Sequence, residues 1–124
     1  MSSLRDALLL FGYCGLIFWL SDQPSLPVPP LFPQQDKFGH IAIYALMGWF
    51  SWRMLSHWPL KRSSIALASL IFCSLYGLSD EWHQSFVPGR DADIWDWLAD
   101  FSGAVMALAT LIFLNKRKAG QEIS

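Results

Sequence analysis

Residues 94–114 read IWDWLADFSGAVMALATLIFL, and no charged residue follows Asp100 until Lys116. A bilayer hydrocarbon core of about 30 Å calls for roughly 20 apolar helical residues, with a range of about 17–25. This stretch meets that requirement by itself. Working outward, residues 38–56 form a second apolar run, in which Arg53 is placed to snorkel from the end of a span. The runs Leu8–Leu20 and Ser63–Leu78 are shorter. With interfacial residues, Arg5 and Asp6 among them, or in a thin and tilted bundle, they too reach across. The expectation is an all-α, four-transmembrane-helix bundle forming a single membrane domain over 1–124. Its spans fall at about 4–20, 38–56, 63–79 and 94–114.

Composition excludes the main competitors. Of 124 residues, 53% are apolar or aromatic and 15% are charged, with a net charge of −1. A disordered chain would be less hydrophobic and more charged. A nucleic-acid binder would show a basic excess, so no nucleic-acid partner is expected. Two cysteines, Cys14 and Cys73, make no disulfide scaffold, and inside predicted spans they read as small buried apolar residues. A soluble four-helix bundle would carry a polar stripe along each helix. Leu8–Leu20 and Ile65–Leu78 are apolar all round. The first run ends Trp19-Leu20-Ser21-Asp22 with no small-x-small site, so it reads as a retained span rather than a cleaved signal peptide. Five prolines between Pro24 and Pro33 make Ser21–Gln35 an extended linker.

Lys and Arg are enriched in cytoplasmic loops. An N-in/C-in arrangement puts Arg5, Arg53, Lys61, Arg62, Lys116, Arg117 and Lys118 inside and only Lys37 and Arg90 outside. Trp19, Trp82, Trp95 and Trp97 then lie near the outer interface, and Trp49, Trp52 and Trp58 near the inner one.

The acids separate more sharply. Asp22, Asp36, Asp80, Glu81, Asp91, Asp93, Asp96 and Asp100 fall outside, leaving Asp6 and Glu122 inside. The positive-inside rule does not demand this, because acids contribute little to topology. Helical spacing gives the clustering a shape. Asp36, His40 and Tyr44 share one face of the second helix, and Gly77, Glu81 and Gln84 mark the outer end of the third. Asp93, Asp96, Asp100 and Gly103 line one face at the start of the fourth. Asp100 lies roughly 6 Å deeper than Asp96 at 1.5 Å per residue. An ionisable side chain at that depth belongs in the bundle interior or a wet cavity. Some of these acids can serve only helix dipoles, yet dipoles do not account for consistent faces on three helices. The pattern predicts a polar pocket at the outer membrane face. Its candidate catalytic residues are Glu81, His40, Asp96 and Asp100. Its candidate binding residues are Lys37, Asp36, Tyr44, Gln84 and Arg90, with any metal left open.

Three segments carry a family likeness. Asp36-Lys37-Phe38-Gly39-His40-Ile41-Ala42-Ile43-Tyr44 resembles the D-K-x-x-H-x-x-x-Y element of the VanZ-like family. Tyr76, Glu81, Gln84, Phe86, Pro88 and Arg90 fall at the spacing of that family's Y-x-x-x-x-E-x-x-Q-x-F-x-P-x-R run. Asp96, Asp100 and Gly103 resemble its D-x-x-x-N-x-x-G element, with Asp100 where the family usually has Asn. The resemblance implies a small integral protein of the bacterial cytoplasmic membrane, and the family takes its name from a protein linked to resistance to the glycopeptide teicoplanin.

Together the residues and the likeness set the functional expectation: an outward-facing polar site that binds or modifies a lipid-linked or cell-wall headgroup. Membrane lipids, a lipid-linked cell-wall precursor and a glycopeptide are the partners in view. The alternative is a binding or structural membrane protein without catalysis, its polar residues forming an interhelical hydrogen-bond network. No Gly-x-Ser-x-Gly element or outer Cys–His pair is present, so any catalysis here would be acid–base or metal-assisted. Cofactor and oligomeric state are not legible in the sequence.

Overall fold

The computed structural model describes residues 2–25 and 29–122. Leu26, Pro27 and Val28 of the proline-rich linker, and the terminal Ser124, lie outside the described residues. Four helices follow in order: α1 Ser3–Ser21, α2 Gln35–Leu55, α3 Arg62–Gln84 and α4 Ile94–Glu122. No strand occurs among the described residues.

The helix starts follow local chemistry. The Ser2 hydroxyl accepts from the Arg5 amide at 3.3 Å, an N-cap, and Asp6 lies in the first turn, where the helix dipole favours an anion. Gln35 ties α2 to the linker: its side chain accepts from the Leu31 amide at 2.6 Å and donates to the Pro29 carbonyl at 3.3 Å. The Asp93 side chain accepts from the Trp95 amide at 2.9 Å at the head of α4. Two helices run on beyond the expected membrane spans. α3 continues past 79 to Gln84, and α4 past 114 to Glu122. At 29 residues α4 is about 43 Å long at 1.5 Å per residue, longer than a hydrocarbon core.

α2 and α4 make the most extensive interface. Small residues allow it. A Cβ on Gly103 would sit 2.1 Å from the Ile41 carbonyl oxygen, so the α2 backbone lies directly against that glycine. Gly48 rests on Ala104 in the same seam, the small-residue packing that membrane helices favour. Beside the seam, Leu10, Cys14, Ile17, Tyr44, Met47, Cys73 and Ala104 form one buried cluster. Trp52, Ile65, Ala66 and Leu108 form a second. Cys14 and Cys73 are free and buried, as their placement within apolar runs implies. Hydroxyl and indole groups bond to backbone carbonyls of neighbouring helices: Tyr13 to Ile43 at 2.6 Å, Trp97 to Ser74 at 3.1 Å, and Tyr76 to Cys14.

The exterior is apolar in its middle. Leu16, Phe18, Leu67, Ile71, Leu75, Met106 and Phe113 are all at least half exposed. α1, α3 and α4 are each long and apolar enough to cross a membrane. α2 is long enough at 21 residues but carries Asp36, Lys37 and Arg53.

Candidate functional site

The C-terminal ends of α1 and α3 and the N-terminal ends of α2 and α4 meet at one end of the bundle. Here the added turn of α3 matters, because it makes Asp80, Glu81 and Gln84 helical and buried. The loop to α4 turns at Gly89, whose φ of 84° lies in the left-handed region, and it packs against the Pro24 carbonyl. That turn brings Arg90 back over the helix ends.

Two polar bridges join α2 to α4. Lys37 reaches Asp93 at 2.9 Å and Asp96 on α4, and Asp36 beside it at 3.1 Å. The ammonium holds the Asp93 carboxyl below the usual carboxylate range, and the Trp95 amide adds to this. One turn deeper, His40 Nδ1 meets Asp100 Oδ1 at 2.7 Å, while His40 Nε2 is 3.7 Å from Asp96. Asp100 is fully buried at 0% exposure. From α3, Glu81 Oε2 accepts the Asp93 amide at 2.9 Å, tying the start of α4 to the end of α3. Gln84 contacts Asp80 and Ser21, each at 3.4 Å.

Several polar atoms in this cluster are buried with no hydrogen-bond partner among the described residues: Tyr44 Oη, Glu81 Oε1 and Asp100 Oδ2. One ligand atom each from His40, Glu81 and Asp100 lies within 4.8 Å of the others, a group that could hold a metal ion. Alongside runs a cavity of about 720 Å³. Ile17, Leu20 and Ile43 line its apolar part, and His40, Tyr44, Asp80, Gln84 and Arg90 its polar part. Arg90 is half-buried and makes no ion pair among the described residues.

The nine residues expected from the sequence therefore lie at one end, with differing surroundings. His40, Tyr44, Gln84, Arg90, Asp36 and Asp96 border the cavity. Glu81 and Asp100 are buried behind it. The Lys37 ammonium is committed to three carboxylates. Asp36, mostly exposed, borders the cavity with His40 and meets its neighbour Lys37 at 3.1 Å. Sequence reasoning missed Asp80 and Ser21. Asp80 lies one residue off the Gly77–Glu81–Gln84 stripe, and Ser21 looked like the start of a linker. His83 turns away to stack on Phe18 at 4.4 Å and meets Asp22 at 3.0 Å.

The opposite end has a smaller cluster that was also missed. Asp6 is buried, bonded to Arg53 at 2.9 Å and His57 at 2.7 Å. Arg53 lies over the Trp49 ring at 4.8 Å, so it bonds back into the bundle as well as lying along its surface.

This arrangement belongs to a recognised family. Residues 7–115 match the VanZ/LLP1 family model, and the chain is a member of that family. It is 29% identical over 103 residues to an uncharacterized protein of the fission yeast Schizosaccharomyces pombe. That match covers 81% of this chain and 58% of the yeast protein, so the chain spans little more than half the length of this relative. Its source carries the likeness beyond bacteria. No solved structure matches.

Proposed function

We propose that this protein is a four-span membrane protein that binds the headgroup of a lipid-borne molecule in the cavity between α1, α2 and α3. The observation that carries this is the mixed apolar and polar lining of the cavity. Apolar Ile17, Leu20 and Ile43 line it together with the polar groups Arg90, His40, Gln84 and Asp80, and Arg90 forms no ion pair among the described residues. An amphiphile needs both kinds of wall: apolar groups for its chain and polar groups for its headgroup. A guanidinium suits a phosphate or carboxylate through two parallel hydrogen bonds. The surrounding carboxylates accept from hydroxyls or amines. A headgroup joining an anionic group to a sugar or peptide therefore fits better than a bare phosphate, which the acids would repel.

A cell-wall precursor on a lipid carrier has this chemistry. Its capture in a bacterial cytoplasmic membrane would connect the site to the cell envelope and to glycopeptide resistance. His40, Glu81, Asp96 and Asp100 would supply acid–base groups for modifying the bound headgroup. A purely structural network is supported by the Lys37 and His40 bridges between α2 and α4. It does not account for an Arg90 with no ion pair among the described residues, or for the unpartnered oxygens of Tyr44, Glu81 and Asp100.

The test is binding of a short-chain polyprenyl diphosphate carrying a sugar to the full chain in nanodiscs. Arg90→Lys, which keeps the charge but loses the fork, is expected to weaken binding roughly tenfold, about 1.4 kcal/mol, and Gln84→Ala to a lesser degree. Wild-type affinity in both variants would remove the cavity from consideration.

A further inference from the structure

We propose that His40, Glu81 and Asp100 form a binding site for one divalent transition-metal ion. Charge balance motivates it. The site end holds Asp36, Asp80, Glu81, Asp93, Asp96 and Asp100, with Lys37 and Arg90 as its permanent cations. Lys37 is taken up by Asp36, Asp93 and Asp96. Among the described residues, no Lys or Arg forms an ion pair with Glu81 or Asp100. Both are more than nine-tenths buried, in the part of the bundle where an uncompensated carboxylate is most costly.

The two unsatisfied oxygens point to the missing charge. Glu81 Oε1 and Asp100 Oδ2 are buried without a hydrogen-bond partner among the described residues. A cation satisfies both. The three residues bring one ligand atom each to within 4.8 Å of the others, near the spread of ligands around a single ion. The His40–Asp100 contact at 2.7 Å holds the imidazole against the Asp100 carboxylate, so two of the three ligand residues are already brought together. Glycine at position 77 leaves room: a Cβ there would come within 3.1 Å of Asp100 Oδ2.

One imidazole and two carboxylates suit Zn²⁺ or Mn²⁺ better than Mg²⁺ or Ca²⁺, which favour oxygen alone. Three protein ligands leave coordination positions open. The site goes beyond the headgroup reading and is measured without any lipid ligand.

The experiment is titration of chelator-stripped full-length protein in detergent micelles with ZnCl₂ and MnCl₂ by calorimetry. One ion per chain is expected for the wild type. Glu81→Gln and Asp100→Asn are each expected to weaken binding at least about tenfold. Asp22→Asn, an exposed acid outside the cluster, is expected to bind as wild type. X-ray absorption of the zinc-loaded wild type, which needs no variant to fold, should show one imidazole nitrogen among oxygen donors. Absence of stoichiometric binding, wild-type affinity in both site variants, or a zinc shell without imidazole would each overturn the proposal.

Discussion

Gly103 shows how much one side chain's absence decides. Its Cα faces the Ile41 carbonyl so closely that any Cβ would overlap backbone, and backbone cannot move aside as a flexible side-chain tip can. Gly103→Ala should therefore part α2 from α4 at a cost of roughly 3 kcal/mol, the upper end for overpacking. Gly12, in α1, faces open space, with nothing within 4 Å of the position a methyl would take. Gly12→Ala should be neutral, or stabilising by up to about 1 kcal/mol from reduced chain entropy. Thermal unfolding in micelles, followed by tryptophan fluorescence, separates the two. A wild-type melting temperature for Gly103→Ala would mean that the seam is not as close as described. Gly77 is an intermediate case. A methyl there meets the Asp100 carboxylate at 3.1 Å and Trp97 at 3.2 Å, so Gly77→Ala should perturb the site more than the fold.

Among the elements, α1 is held most lightly, with its smaller interfaces to α2 and α3. Polar contacts at its two ends compensate. At one end Asp6 takes Arg53 and His57 from the end of α2 and the turn after it. At the other, Ser21 meets Gln84, and Asp22 meets His83. Asp6→Asn weakens the first of these and leaves Arg53 short of a buried anion. Hydrogen exchange should then rise in α1 well before α4, and the melting temperature should fall further than for Asp22→Asn, whose carboxylate is exposed. Equal exchange across all helices in Asp6→Asn would show that the contact does not pin α1. The length of α3 is the other decisive feature at this scale. It runs on past the apolar span to Gln84, as the Gly77–Glu81–Gln84 spacing implies, and so holds Glu81 and Gln84 in fixed directions.

For the whole molecule, the two ends differ in charge. One gathers the carboxylates with Lys37 and Arg90. The other carries Arg5, Arg53, Lys61 and Arg62, with Lys116, Arg117 and Lys118 toward the far end of α4. If the basic end faces the cytoplasm, a cysteine at Ser25 should react with a membrane-impermeant maleimide in intact cells, and one at Lys61 only after permeabilisation. The native Cys14 and Cys73 are buried and should contribute little background. The reverse labelling pattern would invert the orientation, and labelling of both sites from outside would mean that α2 does not span.

The sequence by itself determined the all-helical class of fold and the helix faces that carry the polar residues. Uninterrupted apolar runs dictate helices that bury their own backbone polar groups. The spacing of His40, Glu81, Gln84, Asp96 and Asp100 places each on a definite helix face. Tertiary structure alone decided which of these groups meet and which remain unsatisfied. Pairing depends on interhelical distance and rotation, and those are set by side-chain bulk on the partner helix. Gly103 against Ile41 draws α2 onto α4, which lets His40 reach Asp100 and Lys37 reach Asp96. The same packing leaves Glu81 Oε1 and Asp100 Oδ2 buried without a hydrogen-bond partner among the described residues. Asp80, Ser21 and the Asp6 cluster stayed hidden for the same reason, since each gains its partner from a helix distant in sequence.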